Sequence, residues 1–365
     1  MELTAQALDL TLNVPFRISR GVQNVAHNVL VQVEDDGMSG VGEAAPSGFY
    51  GEKCESVLMA LSYFAEHLGD DPMLIEDISA NLSQVMRGNA AARAAVDMAL
   101  YDLMGQRLGV PLYQLLGLNP ARTPLTSFTI GLDTPAEMAR KAHEAAQYPV
   151  LKIKLGTEND LDIVRAIRDV TDAPLRVDAN AAWTPKQAIR TINALEPFNI
   201  EFVEQPVAAS DLDGLRLVRE HTSVPIFADE SCVTLDDVPR MAGRVDGVNI
   251  KLMKCGGVSQ ALKMIAAARA LHLQVMLGCM VESSVAITAA AQISPLADYA
   301  DLDGALLVAN DPYEGVQIER GKLMLPDRPG LGVRRRASAE LPTPPIRPRH
   351  ARIVSGNNGA SKNGE

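Results

Sequence analysis

The sequence predicts an α/β protein, a TIM-like (β/α) barrel preceded by a smaller α+β unit. From about Pro124, short apolar segments alternate with amphipathic stretches at a spacing of roughly 22–28 residues, which one strand, one helix and two loops require. Each apolar segment also ends in polar residues. These ends are Ser127-Phe128-Thr129, Lys152-Ile153-Lys154, Val177-Asp178-Ala179-Asn180, Val203-Glu204-Gln205, Ala228-Asp229-Glu230, Asn249-Ile250-Lys251, Leu277-Gly278-Cys279 and Asp301-Leu302-Asp303. Units repeated in this way close into a parallel barrel, with functional groups at the C-terminal strand ends. A doubly wound open sheet is the runner-up, but it does not distribute polar strand ends so evenly.

The segment before the barrel reads differently. Phe16–Arg20 and Asn28–Glu34 are rich in β-formers, and Asp35-Asp36-Gly37 is a turn leading to Gly40–Glu43. Ala91–Leu108 places Ala95, Met98, Ala99 and Leu103 at helical spacing, and Gly109 and Pro111 stop it. Residues 1–122 therefore read as an α+β capping domain, completed by part of 305–333, and residues 123–304 as the barrel. A hairpin is expected over Val316–Leu325. Residues 334–365, rich in Pro, Gly and Asn, read as a disordered tail, with a short strand against the first domain as the alternative.

At 47% hydrophobic and 22% charged, the 365 residues have the balance of an ordinary globular protein. A net charge of −11 argues against a nucleic-acid partner. Arg334, Arg335, Arg336, Arg347 and Arg349 are a local basic exception, read as a solvated tail. The four cysteines are scattered and suggest neither a zinc site nor a disulfide framework. With no signal segment and no membrane-length apolar run, the expectation is a cytoplasmic protein without a membrane partner.

The chemistry sits at the strand ends. Lys152 and Lys154 are two apart, so both point to one face while Leu151, Ile153 and Leu155 point to the other. Two ammonium groups in a barrel are costly without anions nearby. Asp178, Glu204 and Asp229 end successive strands about 4.8 Å apart, close enough to converge on one hard cation, Mg²⁺ or Mn²⁺. Helix N-capping is the alternative for any one of them. Strand parity turns Asp229 with Phe227 and leaves Glu230 on the opposite face. Lys251 ends a strand nearly opposite that of Lys154, as a two-base proton transfer requires. Lys254 reads as a loop or helix-start lysine, with anion binding as the alternative.

The ordered set Lys152-Ile153-Lys154, Asp178-Ala179-Asn180, Glu204-Gln205-Pro206, Asp229-Glu230-Ser231 and Asn249-Ile250-Lys251 resembles the muconate-lactonizing subgroup of the enolase superfamily. The resemblance covers nearly the whole chain except the tail. It implies a (β/α)7β barrel with an N-terminal capping domain, one Mg²⁺ per subunit on Asp178, Glu204 and Asp229, and acid/base lysines Lys154 and Lys251. Lys152 would face the substrate carboxylate, Asn180 would support the metal, and Glu282 matches an acid after the seventh strand. A homo-oligomer is expected by analogy.

A proton α to a carboxylate is very weakly acidic, because its removal adds a second charge to the group. Lys152 and the metal would absorb that charge as an enediolate, and Lys154, its pKa lowered by these positive neighbours, would act as base. Lys251 would return the proton to the other face. Asp301 and Asp303 put two carboxylates on one side of the pocket, which favours a substrate ammonium. The pair resembles the D-x-D signature of dipeptide epimerases, the L-Ala-D/L-Glu epimerase group, which implies a dipeptide inverted at its C-terminal residue. Muconate-type cycloisomerase, succinylbenzoate synthase and N-acylamino acid racemase are the alternatives, and a non-catalytic binding barrel is a remote one. Arg20, with Arg17 as its rival, is the candidate for an acidic substrate side chain. Tyr50 is read as a wall, Thr129 as a substrate neighbour, and Glu52 as a group favouring a cationic partner.

Overall fold

The computed structural model describes residues 1–337. The chain opens with a long antiparallel hairpin, β1 (Glu2–Ile18) and β2 (Gly21–Asp35), with β3 (Met38–Ala44) on its edge. Alternation buries Leu8, Leu10 and Leu12 and leaves Asp9 and Thr11 outward. The register shifts between Thr11 and Phe16, where Pro15 cannot donate to the ladder. The hairpin beyond this shift reaches the barrel, and Leu132 donates its N–H to Arg17 O.

Three helices follow: α1 (Cys54–Phe64), α2 (Ile75–Val85) and α3 (Ala90–Leu108). The axis of the unit is α3, which lies directly on the backbone of β3. A Cβ on Gly40 would stand 2.0 Å from Ala99 O, and one on Gly42 1.9 Å from Ala95 O, so only glycine facing alanine permits this approach. Gly109 ends α3 at φ 70°, and the short α4 (Leu112–Leu115) follows.

The barrel strands are β4 (Phe128–Ile130), β5 (Leu151–Lys154), β6 (Leu175–Asp178), β7 (Ile200–Glu204), β8 (Ile226–Ala228), β9 (Gly247–Lys251), β10 (Gln274–Gly278) and β11 (Tyr299–Asp301). They form one eight-stranded parallel sheet in chain order. A Thr126–Ala300 bridge closes β11 onto the segment entering β4. The intervening helices are α5 (Pro135–Glu144), α6 (Asp160–Arg168), α7 (Pro185–Leu195), α8 (Leu212–Glu220), α9 (Val238–Met241), α10 (Leu252–Cys255), α11 (Val258–Ala270) and α12 (Ser284–Ile293). Among the described residues no α-helix follows β11, only the 3-10 turn Gly304–Leu307 before the last strands, so the architecture is (β/α)7β. The barrel interior is plugged by Phe202, Phe227 and Met276, with the Arg176 guanidinium 5.0 Å from the Tyr299 ring.

The chain then returns to the first sheet through a Leu12–Val308 bridge and the Ala309 N–H to Thr11 O bond. It makes β12 (Tyr313–Glu314), the expected hairpin β13 (Gln317–Glu319) and β14 (Lys322–Met324), and β15 (Arg334–Arg335). The disordered-tail expectation is corrected at its start. Arg334 and Arg335 pair antiparallel with Glu314 and Tyr313, and Arg336 donates to Pro312 O and Tyr313 O. The rest of that expectation falls outside the described residues. Among the described residues no helix is long and apolar enough to cross a membrane.

Candidate active site

A cavity of about 520 Å³ opens where the strand ends meet the capping domain. The barrel lines it with Thr129, Lys152, Lys154, Asn180, Asp229, Lys251, Asp301 and Asp303, and the capping domain with Phe16, Ile18, Arg20, Phe49 and Tyr50. A wider recess between α12 and the C-terminal strands lacks such a set; its Asp311 caps Ser284 at the start of α12.

Strand register explains the gathering. Lys154 pairs with Asp178, and Asp178 with Glu204, while Gly278 lies between Lys251 and Asp301. Lys154 and Lys251 end the second and sixth of eight strands, placing them on opposite sides of the mouth. Lys152 Nζ lies 2.7 Å from Asp301 Oδ2, 2.6 Å from Glu204 Oε2 and 3.1 Å from Asp178 Oδ2. Lys154 Nζ is 2.6 Å from Asp178 Oδ2, and Lys251 Nζ 2.8 Å from Asp229 Oδ2.

These contacts set the ionisation. Burial would lower Lys152, but the charges of Asp301, Glu204 and Asp178 outweigh it and hold its pKa well above the ordinary lysine value. Lys251 is likewise held up, against burial, by Asp229 and Glu204. Burial raises Asp178 and Asp229, yet their lysine neighbours leave both below the usual carboxylate range. Glu204 is different: burial, then the Asp178 charge, push it up to about 7. At the far end, Ser127 Oγ donates to Asp301 Oδ1 and Thr129 N–H to Asp303 Oδ2. Burial and then Asp301 push Asp303 up to about 7.

The donor set of Asp178, Glu204 and Asp229 suits a hard divalent cation: every donor is a buried oxygen. Glu204 Oε2 touches Lys152 Nζ without hydrogen-bond geometry, and Asn180 Oδ1 is buried with no hydrogen-bond partner. As the side chains stand, no three acidic, imidazole or thiol groups among the described residues already enclose a cation position. The lysines take the carboxylate oxygens instead. Expected convergence is thus met in strand position and not in side-chain geometry. Asn180, in a left-handed conformation at φ 45°, donates its backbone N–H to Asp178 Oδ1.

Several expectations are corrected. Glu230 does not turn away. β8 ends at Ala228, so strand parity no longer governs the residues beyond it, and Glu230 Oε1 accepts from Arg20 Nη1 at 2.7 Å. Arg20 therefore lines the cavity already paired with Glu230, with its guanidinium 4.4 Å from the Phe49 ring. Its rival Arg17 is not among the residues that line the cavity. Glu52 faces away from the cavity and accepts the N–H groups of Ala90 and Ala91, capping α3. Glu282 lies outside the cavity lining; it accepts the Met280 N–H, and burial followed by Glu43 pushes it up to about 8. Lys254 is not an anion site, because it is buried against Asp229. Tyr50 does line the cavity, its phenol raised by burial and then by the Asp229 charge.

Gln205 and Asn249 were not singled out by sequence. Gln205 Oε1 accepts the N–H groups of Asp229 and Ser231, and Asn249 Nδ2 donates to Glu204 Oε1 at 2.7 Å. Their places beside Glu204 and two before Lys251 were a usable signal.

Fold and site together define a (β/α)7β barrel with a capping domain and a mouth of paired lysines and carboxylates. The chain belongs to the mandelate racemase / muconate lactonizing enzyme family: residues 1–117 match its N-terminal domain and residues 135–339 match the Enolase C-terminal domain-like family. It is 43% identical over 335 residues to an L-Ala-D/L-Glu epimerase of Bacteroides thetaiotaomicron, covering 91% of this chain and 88% of that protein. It is also similar to a dipeptide epimerase of Enterococcus faecalis solved with Mg and L-Leu-L-Tyr, at TM-score 0.88 and 39% identity, over 91% of this chain and 98% of that one. An N-succinyl Arg/Lys racemase of Bacillus cereus superposes at TM-score 0.88 and 30% identity, over 92% and 96%.

Proposed function

We propose that the protein is a Mg²⁺-dependent dipeptide epimerase that inverts the α-carbon of the C-terminal residue by two-base proton transfer. The observation that carries this is one cavity with Lys154 and Lys251 on opposite sides and Asp301 and Asp303 at its end. Relatives named as dipeptide epimerases, including one solved with Mg and a dipeptide, support it.

Asp178, Glu204 and Asp229 would hold Mg²⁺, which would supply positive charge beside the substrate carboxylate. Lys152 sets its ammonium beside the same carboxylate. Lys154, at the end of β5, takes the α-proton on one face. Lys251, on the opposite side of the mouth, delivers a proton to the other face, which inverts the centre. Arg20, Phe49 and Tyr50 wall the side that receives the inverted residue's side chain.

Asp303 separates this reading from that of an N-acylamino acid racemase. It is 3% exposed, and among the described residues it has no ion-pair partner. A dipeptide ammonium supplies that partner, whereas an N-succinyl group brings a carboxylate that Asp301 and Asp303 repel. In D₂O with Mg²⁺, L,L-dipeptides are expected to exchange and invert the C-terminal α-proton, followed by NMR. Lys154→Ala and Lys251→Ala should each lower inversion by at least about 10²-fold. Turnover of N-succinyl amino acids with none of dipeptides would overturn the proposal. Comparing L-Ala-L-Glu with L-Ala-L-Leu reads out the side-chain preference.

A further inference from the structure

Two lysines grip Asp229, and they do so in different ways. Lys251 reaches Oδ2 from the end of β9 and lines the cavity. Lys254 reaches Oδ1 at 2.6 Å from beneath, and its side chain is 0% exposed. The chain switches from strand to the single helical turn α10 directly after Lys251, which swings Lys254 under the mouth. Gly256, at φ 100°, ends that turn.

Lys254 has no capacity left for substrate. An ammonium carries three N–H donors. Besides Asp229 Oδ1, its Nζ lies 2.7 Å from Asp229 O, 2.9 Å from Cys232 O and 2.8 Å from Asn249 O. Four oxygens thus share three donors, and three of them are backbone carbonyls fixed by β9 and the loop after β8. The same ammonium joins two of the acids. It holds Asp229 directly, and it holds the backbone of Asn249, whose side chain donates to Glu204 Oε1.

From this we infer that Lys254 is a positioning residue for the divalent cation, fixing Asp229 Oδ1 so that Oδ2 alone is presented to the cavity, and steadying Glu204 through Asn249. The inference rests on the reading of Asp229 and Glu204 as cation ligands. It assigns the two neighbouring lysines separate roles: Lys251 moves a proton, and Lys254 holds a carboxylate. Removing a group that orients a ligand costs about 10- to 100-fold in metal affinity.

The test is Mg²⁺ titration by calorimetry of the full chain, wild type against Lys254→Met and Lys251→Ala, with α-proton exchange in D₂O on the same samples. Lys254→Met is expected to weaken Mg²⁺ binding by about 10- to 100-fold and to retain exchange once Mg²⁺ is saturating. Lys251→Ala is expected to keep Mg²⁺ binding and lose inversion. Unchanged Mg²⁺ affinity in Lys254→Met overturns the inference, whether exchange is retained or lost. A wild type that binds no Mg²⁺ overturns instead the reading beneath it. Should Lys254→Met not reach the wild-type circular dichroism, Lys254→Gln keeps two donors in place and is titrated in the same way. The wild type gives an independent readout in its ¹⁵N lysine-ammonium spectrum. An ammonium signal protected from solvent and lost in Lys254→Met is expected to move on adding Mg²⁺, and the absence of such a signal, or of its movement, overturns the assignment.

Discussion

Asp301 and Asp303 sit two residues apart and behave differently because their neighbours differ. Lys152 and Lys154 outweigh burial at Asp301 and hold it low, whereas at Asp303 burial and then the charge of Asp301 outweigh Thr129 and Lys152, and it rises to about 7. Asp303 pairs with an ammonium only when ionised, so dipeptide affinity should fall as pH drops through about 7. A terminal amine loses its proton near about 8. KM for a dipeptide is therefore expected to be lowest between these values, measured as a pH profile of initial rates. Asp303→Asn should flatten the acid limb and raise KM tenfold or more, since a hydrogen bond to a charged partner contributes about 1.5–3 kcal/mol. An unchanged acid limb in that variant would remove Asp303 from ammonium binding.

Among the elements, α3 holds the two halves of the molecule together. Ala95 and Ala99 receive the glycine backbone of β3, Asp102 accepts the N–H groups of Val41 and Leu331, and Asp97 accepts from Ser259 N and Oγ at the start of α11. Gly42→Ala forces a Cβ to within 1.9 Å of Ala95 O, and should cost about 1–3 kcal/mol in urea unfolding. Burial pushes Asp97 and Asp102 up to about 6 despite the hydrogen bonds each accepts. Unfolded aspartate titrates near about 3.9. Between these values the native state binds more protons than the unfolded chain, so their contribution to stability is present at low pH and lost as pH rises through about 6. Urea midpoints recorded across that range should decline, and Asp97→Asn should remove part of the slope.

The capping domain and barrel are expected to unfold as one cooperative body. The segment after β11 returns to β1 at Thr11 and to α3 at Asp102, and the cavity takes walls from both parts. Trp183, the single tryptophan, lies on the barrel with its indole N–H on Asp160 Oδ2 at 2.9 Å. Its fluorescence and the far-UV circular dichroism of the whole chain should give coincident urea transitions; separate transitions would show that the capping domain unfolds independently. Mg²⁺ at 100 times its Kd should stabilise this unit by about 2.7 kcal/mol, and EDTA should reverse the gain. The same unfolding curves measure it.

Periodicity and strand-end chemistry let the sequence alone determine the barrel, the preceding α+β unit and the residues at the mouth. A parallel strand buries both faces, so Lys152, Asp178, Glu204 and Lys251 stood out against their apolar neighbours. Strand spacing carried them to one end of one sheet. What it did not determine lies where regular structure stops. Glu230, one residue beyond Asp229 and past the end of β8, faces Arg20 because the loop turns there. Glu52 belongs to the start of α3 and Arg334 to a strand pair, neither of which local pattern reveals. Lys254 read as a loop or helix-start lysine and does sit in the turn α10; only the fold brings three carbonyls and Asp229 Oδ1 around its ammonium. Tertiary structure decided which charge meets which, because ion-pair choice depends on through-space distances set by loops and by packing between the two halves.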